Sequence, residues 1–336
     1  MANQAIDWAG ATRMVSRMVP VTEVPADLTD FIADLRANAY RAGVLAAEVT
    51  GLRPIDGRDP AIEPIADIRI VDRAAWAKAN IETFAQLLDP VLADRSITRA
   101  RWFGALDIAA PLALLSPRVL GQFDPFSGRL LVVAPNIVTV GTELGASRPD
   151  FALWVCLHEQ THALQMAAAP WIGDIIRDSV QSLMTSVFDR MAANRGLAGL
   201  WELSKRRPKT LIDLVLTPEE QAIMDTATGV MSLLEGHADV SMDAVGPGVI
   251  PSVATLRAAF EHRRDSHDSP ISVLISRLLG LDAKLAQYRQ GAAFVRAVTH
   301  EVGPDGFAQV WLAPANLPSR VEILEPARWI SRVIRP

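Results

Sequence analysis

Residues Leu153 to Met166, LWVCLHEQTHALQM, set two imidazoles and a carboxylate into a stretch that is otherwise almost wholly apolar. A polar group removed from water costs free energy unless it finds a partner. Any fold that contains this stretch must therefore provide for His158, Glu159 and His162. The flanks predict a helix: Ser147 suits an N-cap, Pro149 the first turn, Asp150 a box-like cap, and Pro170 closes it. Residues four apart share a helix face. His158 and His162 can then aim their ring nitrogens at one point and supply two ligands to a zinc ion. Glu159 follows about 100° round the axis, beside the open position of such a metal, where it can take a proton from water. The bland alternative is two core histidines bonded to backbone next to an exposed helix acid.

A catalytic zinc site needs a third protein ligand, with the fourth place left to water. MSLLEGHADVSMD, residues 231 to 243, offers Glu235 and Asp239 at i and i+4 within an apolar run, where unpaired charges are costly. Glu235 is the expected ligand, and Asp239 the acceptor for the N–H of a ligating imidazole. His237 competes for the third place, but it lies about 200° round the helix from Glu235, so both cannot face one ion without distortion. Tyr288 is a candidate donor to a developing oxyanion, or a half-buried core tyrosine. His262 and His267 flank a charged stretch and are expected in solvent; His300 follows a helical run. Cys156 points away from the metal face and is expected to pack.

The rest of the chain predicts an α+β protein in which helix dominates. Helical spacing runs over 28–49 and 72–92, while 109–118, with its prolines, is ambiguous. Val119 to Phe123 and Arg129 to Val140, joined by Asp124-Pro125-Phe126-Ser127-Gly128, form a β-hairpin by composition. Pro135 favours an edge position for the second arm. Thr217-Pro218-Glu219-Glu220 starts a helix that Gly246-Pro247-Gly248 stops. Further helices are expected over 253–264 and 271–298, with a break at Gly280. We divide the chain into a mainly helical region, 1–118, and a catalytic region, 119–336, as two lobes of one compact unit.

At 336 residues and net charge −5, with no Lys/Arg stripe, nucleic acid is an unsuitable main partner. The short cluster Lys205 to Lys209 is expected to be a solvated connector. One cysteine excludes an internal disulfide and fits a reducing compartment, no uninterrupted apolar stretch is long enough to span a membrane, and no signal peptide is evident. A cytoplasmic location follows as the expectation.

HEQTH followed far downstream by Glu-x-x-x-Asp resembles the gluzincin branch of the zincin metallopeptidases. GQFDPFSGRLLVVAPNI, LWVCLHEQTHALQ, LLEGHADVSMD, VIPSVATLRAAFEHRR and LLGLDAKLAQYRQG are similar to an actinobacterial family. Its members are labelled zinc-dependent metalloproteases or proteins associated with biosynthesis of a deazaflavin coenzyme. The resemblance implies a zincin-like fold, His158, His162 and Glu235 as zinc ligands, and Glu159 as base. No Gly-rich phosphate loop supports a nucleotide or flavin site. The gap from His162 to Glu235 is long for gluzincins and leaves room for an inserted helix pair, 171–201, over the cleft.

The expected activity is hydrolysis of peptide bonds in a peptide or protein. The arm Gly128 to Asn136 is expected at the sheet edge, where an extended substrate can pair with it. Two other readings stay open: a non-catalytic zinc-binding scaffold, which requires a fourth protein ligand, and a zinc amidase acting on a small molecule.

Overall fold

The computed structural model describes residues 6–21, 27–93, 104–193, 217–266 and 286–335. The helices are α1 (Trp8–Met18), α2 (Leu28–Thr50), α3 (Arg73–Ala93), α4 (Ala105–Leu115), α5 (Ala134–Glu143), α6 (Arg148–Ala168), α7 (Trp171–Ala193), α8 (Pro218–Ala244), α9 (Val253–Ser266), α10 (Ala286–Ala308), α11 (Arg320–Leu324) and α12 (Pro326–Val333). Three short strands join them: β1 (Asp67–Val71), β2 (Gly121–Asp124) and β3 (Arg129–Val133). The expected α+β class, mostly helical with a small sheet beside the HEQTH helix, is what the structure has.

Chain contacts divide into two compact units. The first comprises Met1–Ala85, Ile97–Pro170 and His237–Pro270; the second comprises Gln86–Ser96, Trp171–Gly236 and Ile271–Pro336. Both are discontinuous in sequence.

In the first unit the sheet order is β1-β3-β2, with β1 parallel and β2 antiparallel to β3. Ile68 and Phe123 both pair with Leu130, and Leu130 to Val133 are buried. The hairpin between β2 and β3 forms as the sequence predicts. Asp124 fixes its turn, accepting from the Phe126 N–H at 3.0 Å, the Ser127 hydroxyl at 2.6 Å and the Thr83 hydroxyl at 2.5 Å.

Two strand expectations are corrected. β3 is the central strand, not an edge, because β1 occupies its other side. It also stops at Val133: Pro135 sits in the first turn of α5, where its missing N–H costs nothing, and residues 134–140 are helical.

Helix α6 runs through the core of this unit, with Phe151, Trp154, Leu157 and Leu164 buried. Against it lies α2, whose Ala39, Ala42, Gly43 and Ala46 keep that face small enough for a close approach. Gln160 crosses between them, donating to the Ala39 carbonyl at 2.8 Å. Ser147 is the N-cap of α6, but its side chain makes no cap bond. Asp150, expected in the cap, instead accepts from the backbone N–H and hydroxyl of Ser252 at 3.0 and 2.5 Å.

In the second unit Phe188, Leu233, Phe294 and Trp329 are buried. Thr217 and Glu220 form the predicted reciprocal cap of α8, with bonds of 2.7 and 3.3 Å. Gly236 on α8 and Gly291 on α10 meet backbone to backbone: a Cβ on Gly291 would stand 1.8 Å from the Ser232 carbonyl oxygen. The expected helix over 271–298 is described from Ala286 and runs on to Ala308, with a kink at Gly303. The expectations for 194–201, Lys205 to Lys209, His267 and Gly280 lie outside the described residues. No described helix is long and apolar enough to cross a membrane.

Candidate metal centre

The i, i+4 spacing on α6 brings the Nε2 atoms of His158 and His162 to 3.1 Å, with the two rings nearly perpendicular at 88°. Two nitrogens bound tetrahedrally to one zinc at their usual bond length are about 3.3 Å apart. The imidazoles therefore already have roughly the spacing such an ion imposes. Glu235, on α8, completes the set: one ligand atom from each of His158, His162 and Glu235 lies within 4.8 Å of the others. All three residues are partly accessible, so an ion and a substrate atom can reach them. This is the one group of three or more such donors among the described residues. Two neutral imidazoles and a carboxylate suit a zinc ion.

Glu159 lies beside this group in sequence and is 8 % exposed. Its Oε2 accepts the Phe123 backbone N–H at 2.9 Å. Phe123 belongs to β2, the edge of the sheet among the described residues, and its N–H faces away from β3. Gly121, two residues earlier on the same edge, has no side chain, and the Glu159 carboxylate lies over that gap. The strand edge thus holds the carboxylate in place.

Around the histidines, the His162 Nδ1 is 2.9 Å from Gln165 Oε1, and Gln165 Nε2 is 3.0 Å from His237 Nδ1. The His158 Nδ1 faces the Met242 sulfur at 3.2 Å. Burial, with the neighbouring His162 adding to it, pushes the His237 imidazole down to about 3. His237 is therefore neutral, and its Nδ1 is engaged by an amide.

The sequence-predicted residues separate accordingly. His158, His162 and Glu235 come together. His237 does not join them as a ligand in that group. The Asp239 carboxylate accepts from Arg257 at 2.6 Å. Arg257 also reaches Asp243 at 2.9 Å and lies 5.4 Å over the Trp154 ring. Arg257, from α9, gives the Asp239 carboxylate a charge-assisted bond, stronger than a neutral ring N–H would offer. The Tyr288 and His262 side chains lie outside the described residues, His300 is exposed on α10, and Cys156 is a free, fully buried thiol, as read. Sequence reasoning missed Gln165, Met242, Gly121 and Phe123. Gln165 was within reach, since i+3 from His162 is a neighbouring position on the helix surface.

A model of the zincin-like metallopeptidase family matches residues 6–330. With that match and the two-histidine, one-glutamate donor set, the chain belongs to the zincin-like metallopeptidases. A crystal structure from Chloroflexus aurantiacus, described as a candidate hydrolase with a novel fold, is 32 % identical at a TM-score of 0.71. The match covers 98 % of this chain and 99 % of that one. No curated protein matches.

Proposed function

We propose that this protein is a zinc-dependent metallopeptidase of the HExxH, gluzincin type, with His158, His162 and Glu235 as ligands and Glu159 as general base. The observation that carries the reading is the convergence of those three donors beside a carboxylate that a sheet edge holds in place. Bound zinc supplies Lewis acidity, lowering the pKa of water and polarising a carbonyl.

The chain's own residues do the rest. Glu159 takes a proton from the attacking water and hands it to the leaving amine, so a single carboxylate serves both halves of the reaction. The Phe123 N–H, bonded to Oε2, limits its rotation. The substrate class is a peptide or protein.

A scaffold role would call for a fourth protein ligand. The best candidate, His237, has its Nδ1 directed to Gln165, which supports the catalytic reading over the structural one. The lone thiol supports placing the protein in the reducing cytoplasm, and the −5 net charge argues against nucleic acid as a partner.

The test is Glu159→Gln, assayed on a mixed peptide substrate with metal content measured in parallel. Turnover is expected to fall ~10²–10⁴-fold with zinc retained. Equal turnover in the variant removes Glu159 from the mechanism.

A further inference from the structure

We propose that Gln165 and His237 are positioning residues that fix which nitrogen of His162 is offered to the metal. The inference rests on the zinc reading of His158, His162 and Glu235 but concerns residues outside the ligand set. A neutral imidazole carries its proton on one nitrogen and a lone pair on the other, and only the lone pair binds a metal. For His162 to present Nε2, the nitrogen that faces His158, its proton must sit on Nδ1 and needs an acceptor.

That acceptor is Gln165 Oε1, at 2.9 Å. An amide, however, has two unlike ends and can be turned over. With Nε2 towards His162, the amide would donate to Nδ1, drive the ring proton to Nε2, and block the ligand position. His237 decides the orientation. It is buried, and its Nδ1 lies 3.0 Å from Gln165 Nε2, an amide nitrogen that can only donate. Gln165 is itself wholly buried, so solvent cannot satisfy a turned amide. The chain His162 Nδ1–H to Gln165 oxygen, then Gln165 N–H to His237 Nδ1, runs in one direction and puts the lone pair of His162 on Nε2, which faces His158 Nε2 at 3.1 Å.

The choice of glutamine has a chemical consequence. A carboxylate in this place raises the basicity of a metal-bound imidazole. A neutral amide orients the ring without adding negative charge, so the ion keeps more of its Lewis acidity. Asp239, the carboxylate within the same stretch of α8, is held away by Arg257.

The experiment has two arms. In metal-free wild-type protein, long-range ¹H–¹⁵N spectra of the imidazoles report the tautomers. His162 is expected protonated on Nδ1 and His237 on Nε2; a His162 ring protonated on Nε2 overturns the proposal. In the second arm, zinc affinity is measured by competition with a chromogenic chelator. Gln165→Met is expected to bind about 10–100-fold more weakly, the usual cost of losing such a partner, and Gln165→Glu to bind at least as tightly as wild type. Gln165→Met binding at wild-type affinity, with the His162 tautomer unchanged, overturns the proposal. Where Gln165→Met fails to fold, Gln165→Glu and the wild-type spectra still decide it. Failure of the zinc reading is a separate result: wild type and His162→Ala would then be alike in binding no zinc, whatever the tautomers show.

Discussion

Replacing Gly121 by alanine tests how Glu159, the proposed base, is held. An ideal Cβ at this position stands 2.6 Å from Glu159 Cγ and 3.0 Å from both Cδ and Oε1. Ordinary carbon contacts are about 3.5–4.0 Å, so roughly 1 Å of movement is required. The glutamate side chain is the flexible party and moves, while β2 stays paired to β3. Its 2.9 Å hydrogen bond from Phe123 then opens beyond useful range. A bond of this kind to a charged group is worth about 1.5–3 kcal/mol, which sets the expected loss of stability. A reacting group displaced by about 1 Å costs ~10²-fold in rate. Steady-state kinetics on a peptide substrate should therefore show kcat down about 100-fold, with zinc content unchanged because no ligand is touched. Gly43→Ala, on α2 where it faces Gln160 of α6, is the control. Its Cβ meets Gln160 Cδ at 3.4 Å, a contact that fits, and alanine in a helix gains up to about 1 kcal/mol over glycine. Wild-type turnover in Gly121→Ala would refute the claim that the strand edge positions Glu159.

Two further outcomes follow from packing. Gly291→Ala drives a Cβ into backbone, 1.8 Å from the Ser232 carbonyl oxygen, where no side-chain rotation relieves it. Denaturant titration should show a loss at or above the usual overpacking range of about 1–3 kcal/mol, and an unchanged midpoint would mean that α8 and α10 are not held this closely. Burial, with the Glu159 charge adding to it, pushes the Cys156 thiol up to about 12. It should resist a disulfide reagent at pH 8 in native protein and react fully in guanidinium; rapid native labelling would show that the α6 core opens.

The cluster of His158, His162 and Glu235 was legible because helix geometry converts spacing into direction. Two histidines four apart in a capped helix can do little else than share a face, and Glu235 stood in an apolar run that a carboxylate avoids without a reason. The capping box at Thr217 and the hairpin turn at Asp124 were legible for the same cause: each is decided by residues within a few positions. What failed depended on distant partners. β1 was missed although Ile68 and Ile70 alternate in DIRIV, because its pairing is parallel to a strand some sixty residues on. That missing neighbour is also why β3 was expected at the edge. The pairing of Asp239 with Arg257 is of the same kind: nothing near it in sequence announces a partner from the next helix. Glu159 was identified, but its partner lies on β2, so the means of holding it became visible only in three dimensions.

The central claim is that His158, His162 and Glu235 together hold one zinc ion, and elemental analysis of purified protein tests it most directly. Wild type should carry about one zinc per chain, the occupancy of a single three-ligand site, and His162→Ala and Glu235→Ala should each lose it while keeping wild-type circular dichroism. Zinc absent from wild type, or retained in full by Glu235→Ala, would contradict the account.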